Sequence, residues 1–213
     1  MIKGVFLPGY ACTSQIWQSV CEEIGSTYDP TLIDWPVQAT PDFHCLNDFA
    51  HWLYASFWPR QCDFIIGHSL GGLVALQLLA SGKVVIPKII LVETFLLPPN
   101  PFFHNLLLSG ASSVQAQQIL EMLSCEEAHY SPRLREAIRE VDMSEQVLRI
   151  GKTFHALYGD RGCGRPEIVL EKLQWTEQIS TRVELRVIPE SCHFPMVENP
   201  QETVHVLRSI IDS

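Results

Sequence analysis

Two residues of this chain have the types and the surroundings needed for nucleophilic chemistry. Ser69 lies in Gly67-His68-Ser69-Leu70-Gly71, where the apolar run from Asp63 to Gly67 meets a helical pattern led by Leu73, Val74 and Leu76. A Gly-x-Ser-x-Gly set between a strand and a helix is the context a nucleophile elbow requires. Such a turn strains the residue at its apex, and the flanking glycines let backbone approach without a Cβ clash, which leaves the hydroxyl exposed. The helix N-terminus that follows favours negative charge developing nearby. A serine hydroxyl attacks poorly until a base takes its proton. His193, in "IPESCH", follows the last strand pattern by a short loop and so reaches the same sheet edge as Ser69. It is the candidate base. His68 adjoins the serine, but an elbow points neighbouring side chains in different directions, so His68 is a poor rival.

The elements that must position these residues can be read from the hydropathy pattern. Short apolar runs at 3–8, 30–35, 63–67, 88–93, 154–159 and 183–188 alternate with stretches of helical period. That alternation is the pattern of a parallel sheet with crossover helices. Helices are expected over Ile16–Ile24, over Leu46–Phe57 with Pro59 ending it, from Leu73 onward, and behind Asn199-Pro200, where asparagine can cap and proline suits the first turn. About sixty residues separate the fourth strand from the fifth, far more than a crossover needs. The excess, residues 98–152, is expected to form a helical cap over the carboxyl ends of the strands, where open α/β sheets bind ligands. The whole chain, 1–213, reads as one domain.

Composition narrows the function classes. A formal charge of −9 with no Lys/Arg-rich run argues against nucleic acid. The first apolar run breaks at Pro8-Gly9, too early for a membrane span and unlike a signal peptide. Seven scattered cysteines form no Cys-x-x-Cys pair and read as reduced cytoplasmic thiols, and eight histidines show neither His-x-His nor His-Glu-x-x-His. No metal is expected.

With the elbow "GHSLGG", the first-strand exit "LPGYACTSQIW" and the closing "SCHFPMVENPQE", the sequence resembles the α/β-hydrolase fold superfamily over nearly its whole length. The resemblance implies an α/β fold with a doubly wound, mainly parallel six-stranded sheet and a helical cap insertion. Within the superfamily the text looks most like small carboxylesterases, among them pimeloyl-carrier-protein methyl ester esterases and plant methyl esterases. Family members commonly carry two antiparallel strands ahead of the strand that here begins at residue 3, so the sheet is expected to be trimmed at that edge. The usual His-Gly after this strand appears as Pro8-Gly9. Carrying over the oxyanion hole places its donors at the backbone N–H groups of Tyr10 and Leu70.

The resemblance also implies an acid that orients His193 and stabilises its imidazolium form. The family position, three residues after the glycine that ends the penultimate strand, is occupied by Gly162 in "LYGDRGCGRP". Asp160 lies on the same loop and is the first choice, and Glu93, ending the fourth strand in "LVETFLLP", is the rival. Asp160 can also be read as a turn residue capping local N–H groups, and Glu93 as a structural carboxylate at a strand end.

The resulting expectation is a cytoplasmic serine hydrolase that cleaves a small-molecule carboxylic ester through an acyl-enzyme, with no cofactor. A C–C hydrolase, synthase or lyase on the same triad, or a hydrolase-fold receptor with little turnover, are the alternatives. A carrier-protein partner is a further option, since Arg135 and Arg139 share a helix face in the cap, although Glu136 and Glu140 beside them suit a solvated face.

Overall fold

The computed structural model describes residues 1–58, 61–109 and 113–213. Six strands form one sheet: β1 Ile2–Leu7, β2 Tyr28–Leu32, β3 Phe64–His68, β4 Lys88–Val92, β5 Phe154–Gly159 and β6 Val183–Ile188, in the order β2-β1-β3-β4-β5-β6. Every pairing is parallel, so the sheet is open and wholly parallel rather than mixed. The registers Gly67↔Leu91 and His68↔Val92 bring the carboxyl ends of β3 and β4 level, and Gly159↔Ile188 does the same for β5 and β6.

Alternation along the strands divides the core into two layers, because successive side chains of a strand point to opposite faces. Val5, Leu7, Ile65, Ile89, Leu91, Ala156 and Tyr158 face one layer, covered by α2 Leu46–Phe57, α3 Leu70–Ala80, α6 Ser144–Ile150, α7 Pro166–Leu173 and the single turn α8 Glu177–Ser180. Phe6, Phe64, Ile66, Ile90, Val92 and Leu157 face the other, covered by α1 Gln18–Ile24 and α10 Pro200–Ile211, with the short α9 Pro195–Glu198 between β6 and α10. This is the doubly wound arrangement. Helix α3 is apolar on every side, with nine of its eleven residues buried, as its place directly behind β3 at the centre of the sheet demands. Helix α2 ends at Phe57; Pro59, expected to end it, lies outside the described residues.

Between β4 and β5 come α4 Ser113–Glu126, α5 Pro132–Arg139 and α6. The three are not equivalent. Val147 of α6 is fully buried in the sheet core and α6 packs on α3, so this helix acts as the crossover that returns the chain to β5. Helices α4 and α5 lie at the carboxyl ends of the strands, where Leu123, Ser124, Ile138 and Arg139 line a cleft together with Ser69 and His193.

Candidate active site

The site begins with the backbone at Ser69. Its φ of 49° and ψ of −115° lie outside the regions that ordinary residues favour, and the residue joins the end of β3 directly to α3. Two glycines make the turn possible. A Cβ on Gly67 would come within 2.4 Å of the Gly72 nitrogen, and one on Gly9 within 2.6 Å of His68 Nδ1 and 3.3 Å of the Ser69 Cβ. The elbow is tied in place by Ser69 N–H donating to Val92 O at 2.9 Å and by the buried Thr94 hydroxyl beside the carbonyls of Gly67 and Ser69.

Facing this turn is the exit of β1, whose course is set by two indoles. Trp17 donates to Leu7 O at 3.3 Å and Trp35 to Pro8 O at 3.2 Å, so the backbone of Pro8-Gly9 runs against the elbow. Among the described residues no group accepts from the N–H of Tyr10 or of Leu70. Leu70 is the first residue of α3, where N–H groups have no partner within the helix.

His193 sits on the loop after β6, and its frame is unusually well anchored. Its N–H donates to Leu106 O at 3.0 Å, its carbonyl accepts from His68 Nε2 at 2.8 Å, and the Glu198 carboxylate takes the N–H groups of Cys192 and Leu108 at 2.7 Å each. His68 therefore props the backbone of His193, and its Nε2 is taken up by that bond. Burial, and His193 beside it, push the His68 imidazole well below its ordinary value, so it stays neutral with its proton on Nε2. The ring of Phe95 lies parallel to that of His193 at 6.1 Å.

The carboxylate that meets His193 is Glu93. Its Oε2 lies 3.4 Å from His193 Nδ1, which leaves Nε2 as the nitrogen available to the serine side. Glu93 directly follows β4 at a φ of 50° while its N–H still bonds Leu157 O at 2.9 Å, and this left-handed kink turns the side chain along the sheet edge toward the end of β5. There Gly159 N–H donates to Oε1 at 2.6 Å, and Arg161 spans both oxygens, Nη1 to Oε1 at 2.6 Å and Nη2 to Oε2 at 2.5 Å. Burial pushes the Glu93 carboxyl up, but the Arg161 charge and hydrogen bonds from Arg161 and His193 outweigh it and hold the group below the ordinary carboxylate value. The carboxylate is ionised at neutral pH.

Asp160, the first choice from the sequence, does not take this place. Its two oxygens accept from Gly162 N–H at 2.8 Å and Gly164 N–H at 3.0 Å within its own loop. Arg161 and Gly162 both have positive φ, 55° and 71°, and Cys163 N–H closes the turn on Asp160 O, so this is a primed turn with an aspartate at its head. The turn-residue reading describes Asp160. Arg161 escaped sequence reasoning altogether, because an arginine after a strand looks like any solvated cation until its side chain is seen to be 4% exposed.

Ser69, His68, His193 and Phe194 share a cleft of about 640 Å³ with Tyr10, Ala11 and Cys12 from the β1 exit and with Leu106, Leu123 and Ile138 from the insert. Arg135, Arg139 and Glu127 line it as well, and Arg135 is paired with Glu127 and bonded to the Tyr10 hydroxyl at 3.4 Å. Phe102 and Phe103 do not line it; Phe103 lies under the Arg161 guanidinium instead, 4.6 Å from ring centre to Cζ. Burial pushes the Cys12 thiol up to about 12, so the cysteine in the cleft is a thiol and not a thiolate. Among the described residues no group of three His, Cys, Asp or Glu is placed to hold a metal ion, and no helix is long and apolar enough to cross a membrane.

A serine on a strained strand-to-helix turn and a histidine–carboxylate pair at the same edge of a doubly wound parallel sheet are features of the α/β-hydrolase class. Residues 5–206 match the profile of the alpha/beta hydrolase family, and the chain belongs to that family. No curated protein matches it. Solved structures share the fold at low identity: an esterase from Exiguobacterium antarcticum at TM-score 0.78 and 15% identity, covering 100% of this chain and 92% of that one. A lipase-esterase related protein from Clostridium acetobutylicum matches at TM-score 0.70 and 15% identity over 98% of this chain and 93% of that one. A carboxylesterase from Bacillus subtilis matches at TM-score 0.70 and 12% identity over 99% and 83%.

Proposed function

We propose that the protein is a serine-dependent carboxylic ester hydrolase that works through an acyl-enzyme, with Glu93 rather than Asp160 as the acid of its triad. The observation that carries this reading is the placement of Ser69 on a strained elbow in the same cleft as His193, whose Nδ1 meets an ionised, buried glutamate. His193 Nε2 takes the hydroxyl proton as Ser69 Oγ bonds to the ester carbon. The oxyanion that forms is held by the N–H groups of Tyr10 and Leu70, and the alcohol departs with the proton returned by His193. Water then repeats the sequence, its proton passing to His193 while its oxygen bonds to the acyl carbon and Ser69 regains its hydrogen. Glu93 stabilises the imidazolium at each passage and keeps the Nδ1–H tautomer.

The apolar side of the cleft, from Leu106, Leu123 and Ile138, suits the acyl chain, and residues 98–152 serve in part as a cap, through α4 and α5. Similarity in fold to three proteins described as esterases supports the choice of ester over other hydrolase chemistries. The test is a series of p-nitrophenyl esters of graded acyl length with Ser69→Ala as control, together with labelling by a fluorophosphonate. Turnover and one-to-one labelling of the wild type, both lost in Ser69→Ala, are expected. Labelling that persists without Ser69 overturns the nucleophile. A wild type inert toward every ester moves the protein toward lyase or receptor function.

A further inference from the structure

A triad acid acts on histidine through an unmatched negative charge, yet here that charge is shared. Oε2 of Glu93, the oxygen nearest His193, is also 2.5 Å from Arg161 Nη2. Arg161 is almost as buried as its partner: its side chain is 4% exposed against 0% for Glu93. Nη1 donates a further bond to Gly159 O at 2.8 Å, Phe103 covers the guanidinium, and the backbone N–H of Arg161 holds Ser191 O at 2.9 Å, one residue before Cys192 and two before the base. One residue thus touches the acid, the end of β5 and the loop that carries His193.

Two physical effects follow, and they oppose each other. A glutamate side chain has one more rotatable bond than an aspartate, and a bidentate guanidinium fork fixes its plane as a lysine ammonium does not. Arginine therefore improves the aim of the carboxylate. The same cation weakens the field that the carboxylate exerts on the imidazole, because opposite charges at this distance largely cancel at His193. We propose that Arg161 is a positioning residue for the hydrolytic triad, one that fixes the Glu93 carboxylate toward His193 and, by sharing its charge, keeps the enzyme active to lower pH than an unshared glutamate would. The inference rests on the ester hydrolase reading above.

The other charged and titratable groups around His193 do not supply this effect. His68 is neutral and bonded to the His193 carbonyl, Cys192 is a buried thiol, and the Glu198 carboxylate is turned to backbone N–H groups. Glu127, Arg135, Arg139 and Tyr10 line the same cleft without a bond to His193 or Glu93; Glu127 and Arg135 pair with each other, and Arg135 bonds the Tyr10 hydroxyl.

The experiment measures kcat/KM against pH on p-nitrophenyl acetate, and in parallel the pH dependence of fluorophosphonate labelling, for wild type, Arg161→Lys, Arg161→Met, Glu93→Gln and the double variant Arg161→Met/Glu93→Gln. Arg161→Lys keeps the charge and loses the fork, so a kcat loss of up to about 10²-fold with an almost unmoved acid limb is expected. Arg161→Met is expected to move the acid limb up by about one pH unit. The double variant should be no slower than Glu93→Gln, since Arg161 then has no carboxylate to aim. An unmoved limb in Arg161→Met, or losses that multiply in the double variant, overturns the proposal and leaves Arg161 a structural counter-ion. If Arg161→Met does not fold, the double variant against Glu93→Gln decides: an acid limb that stays where Glu93→Gln has it, or a loss that multiplies, overturns the proposal. A wild type that cleaves no ester fails the hydrolase reading first, and NMR titration of the His193 ring in wild type against Arg161→Met, and in Glu93→Gln against the double variant, still decides the sharing of charge: equal curves within each pair would sink it.

Discussion

Glu93 and Asp160 are carboxylates at the carboxyl ends of neighbouring strands, both almost wholly buried, and the structure uses them in opposite ways. Asp160 turns inward on its own loop, where two glycine N–H groups lie within reach of its short side chain. Glu93 turns across the sheet edge to a glycine N–H, an arginine and His193, all supplied by other elements. The difference comes from chain length and backbone. An aspartate at the head of a primed turn finds local donors before distant ones, whereas a glutamate at a left-handed strand end reaches past its own backbone. Position relative to the family pattern is a weaker guide to the acid than the donors around each carboxylate.

The comparison breaks most sharply through turnover. Glu93→Gln keeps the shape and removes the charge, so kcat is expected to fall by about 10³ to 10⁴-fold with KM little changed. Asp160→Asn should retain near-normal kcat. Its loss should appear instead as about 1 kcal/mol of stability in urea unfolding, because one of two backbone N–H groups loses its charged acceptor. The reverse outcome, a crippled Asp160→Asn beside an active Glu93→Gln, would return the acid to the β5 loop and require that loop to rearrange on binding substrate.

Acid sharpens the same contrast on stability. The Glu93 carboxyl is held below its ordinary value in the folded protein, so the unfolded chain binds more protons in the interval between the two values. Its contribution is complete above the ordinary glutamate value of about 4.3 and is lost as pH falls through the folded value. Urea midpoints taken from pH 6 downward should therefore fall more steeply below about pH 4.3 for the wild type than for Glu93→Gln. Parallel curves would mean that the Arg161–Glu93 pair adds nothing net to stability, as buried pairs often do not.

Much of this architecture is legible in the residues. Five of the six strands lie within one residue of the hydropathy runs, and the edge strand β2 begins two residues and ends three ahead of its run; the inner strands are legible because a strand buried on both faces must be apolar throughout. The elbow and His193 were legible for a related reason: each sits next to an element whose position in the sheet the pattern dictates. The partition of the β4–β5 insert was not, because α6 and α4 carry similar helical periods and only packing shows that Val147 enters the sheet core while Leu123 faces the cleft. Nor was the choice between the two carboxylates, which depends on positive φ at Glu93, Arg161 and Gly162, where two of the three residues are not glycine. Nor was the place of Phe103 legible: nothing in an apolar pair after a proline-rich exit shows that it packs on the Arg161 guanidinium rather than lining the cleft.

That last contact yields the smallest effect on the comparison and the most selective one. Phe103 is 4% exposed and packs against Phe95, Tyr158 and the Arg161 guanidinium, so it bears on Glu93 only through the clamp and not at all on the Asp160 turn. Phe103→Leu keeps most of the volume and removes the π face, a change of about 0.5 to 2 kcal/mol in the hold on a buried cation. Because the arginine retains both bonds to the carboxylate, only part of that loss should pass to the triad. We expect kcat to fall by a few-fold, with the acyl-length preference unchanged, since Phe103 does not line the cleft. Combined with Arg161→Lys the effect should shrink, because the ammonium of lysine is not spread over the ring as the guanidinium is. An altered preference among acyl chains in Phe103→Leu would mean that substrate reaches below Leu106 to the clamp itself, and that the two walls of the site are less separate than the distances suggest.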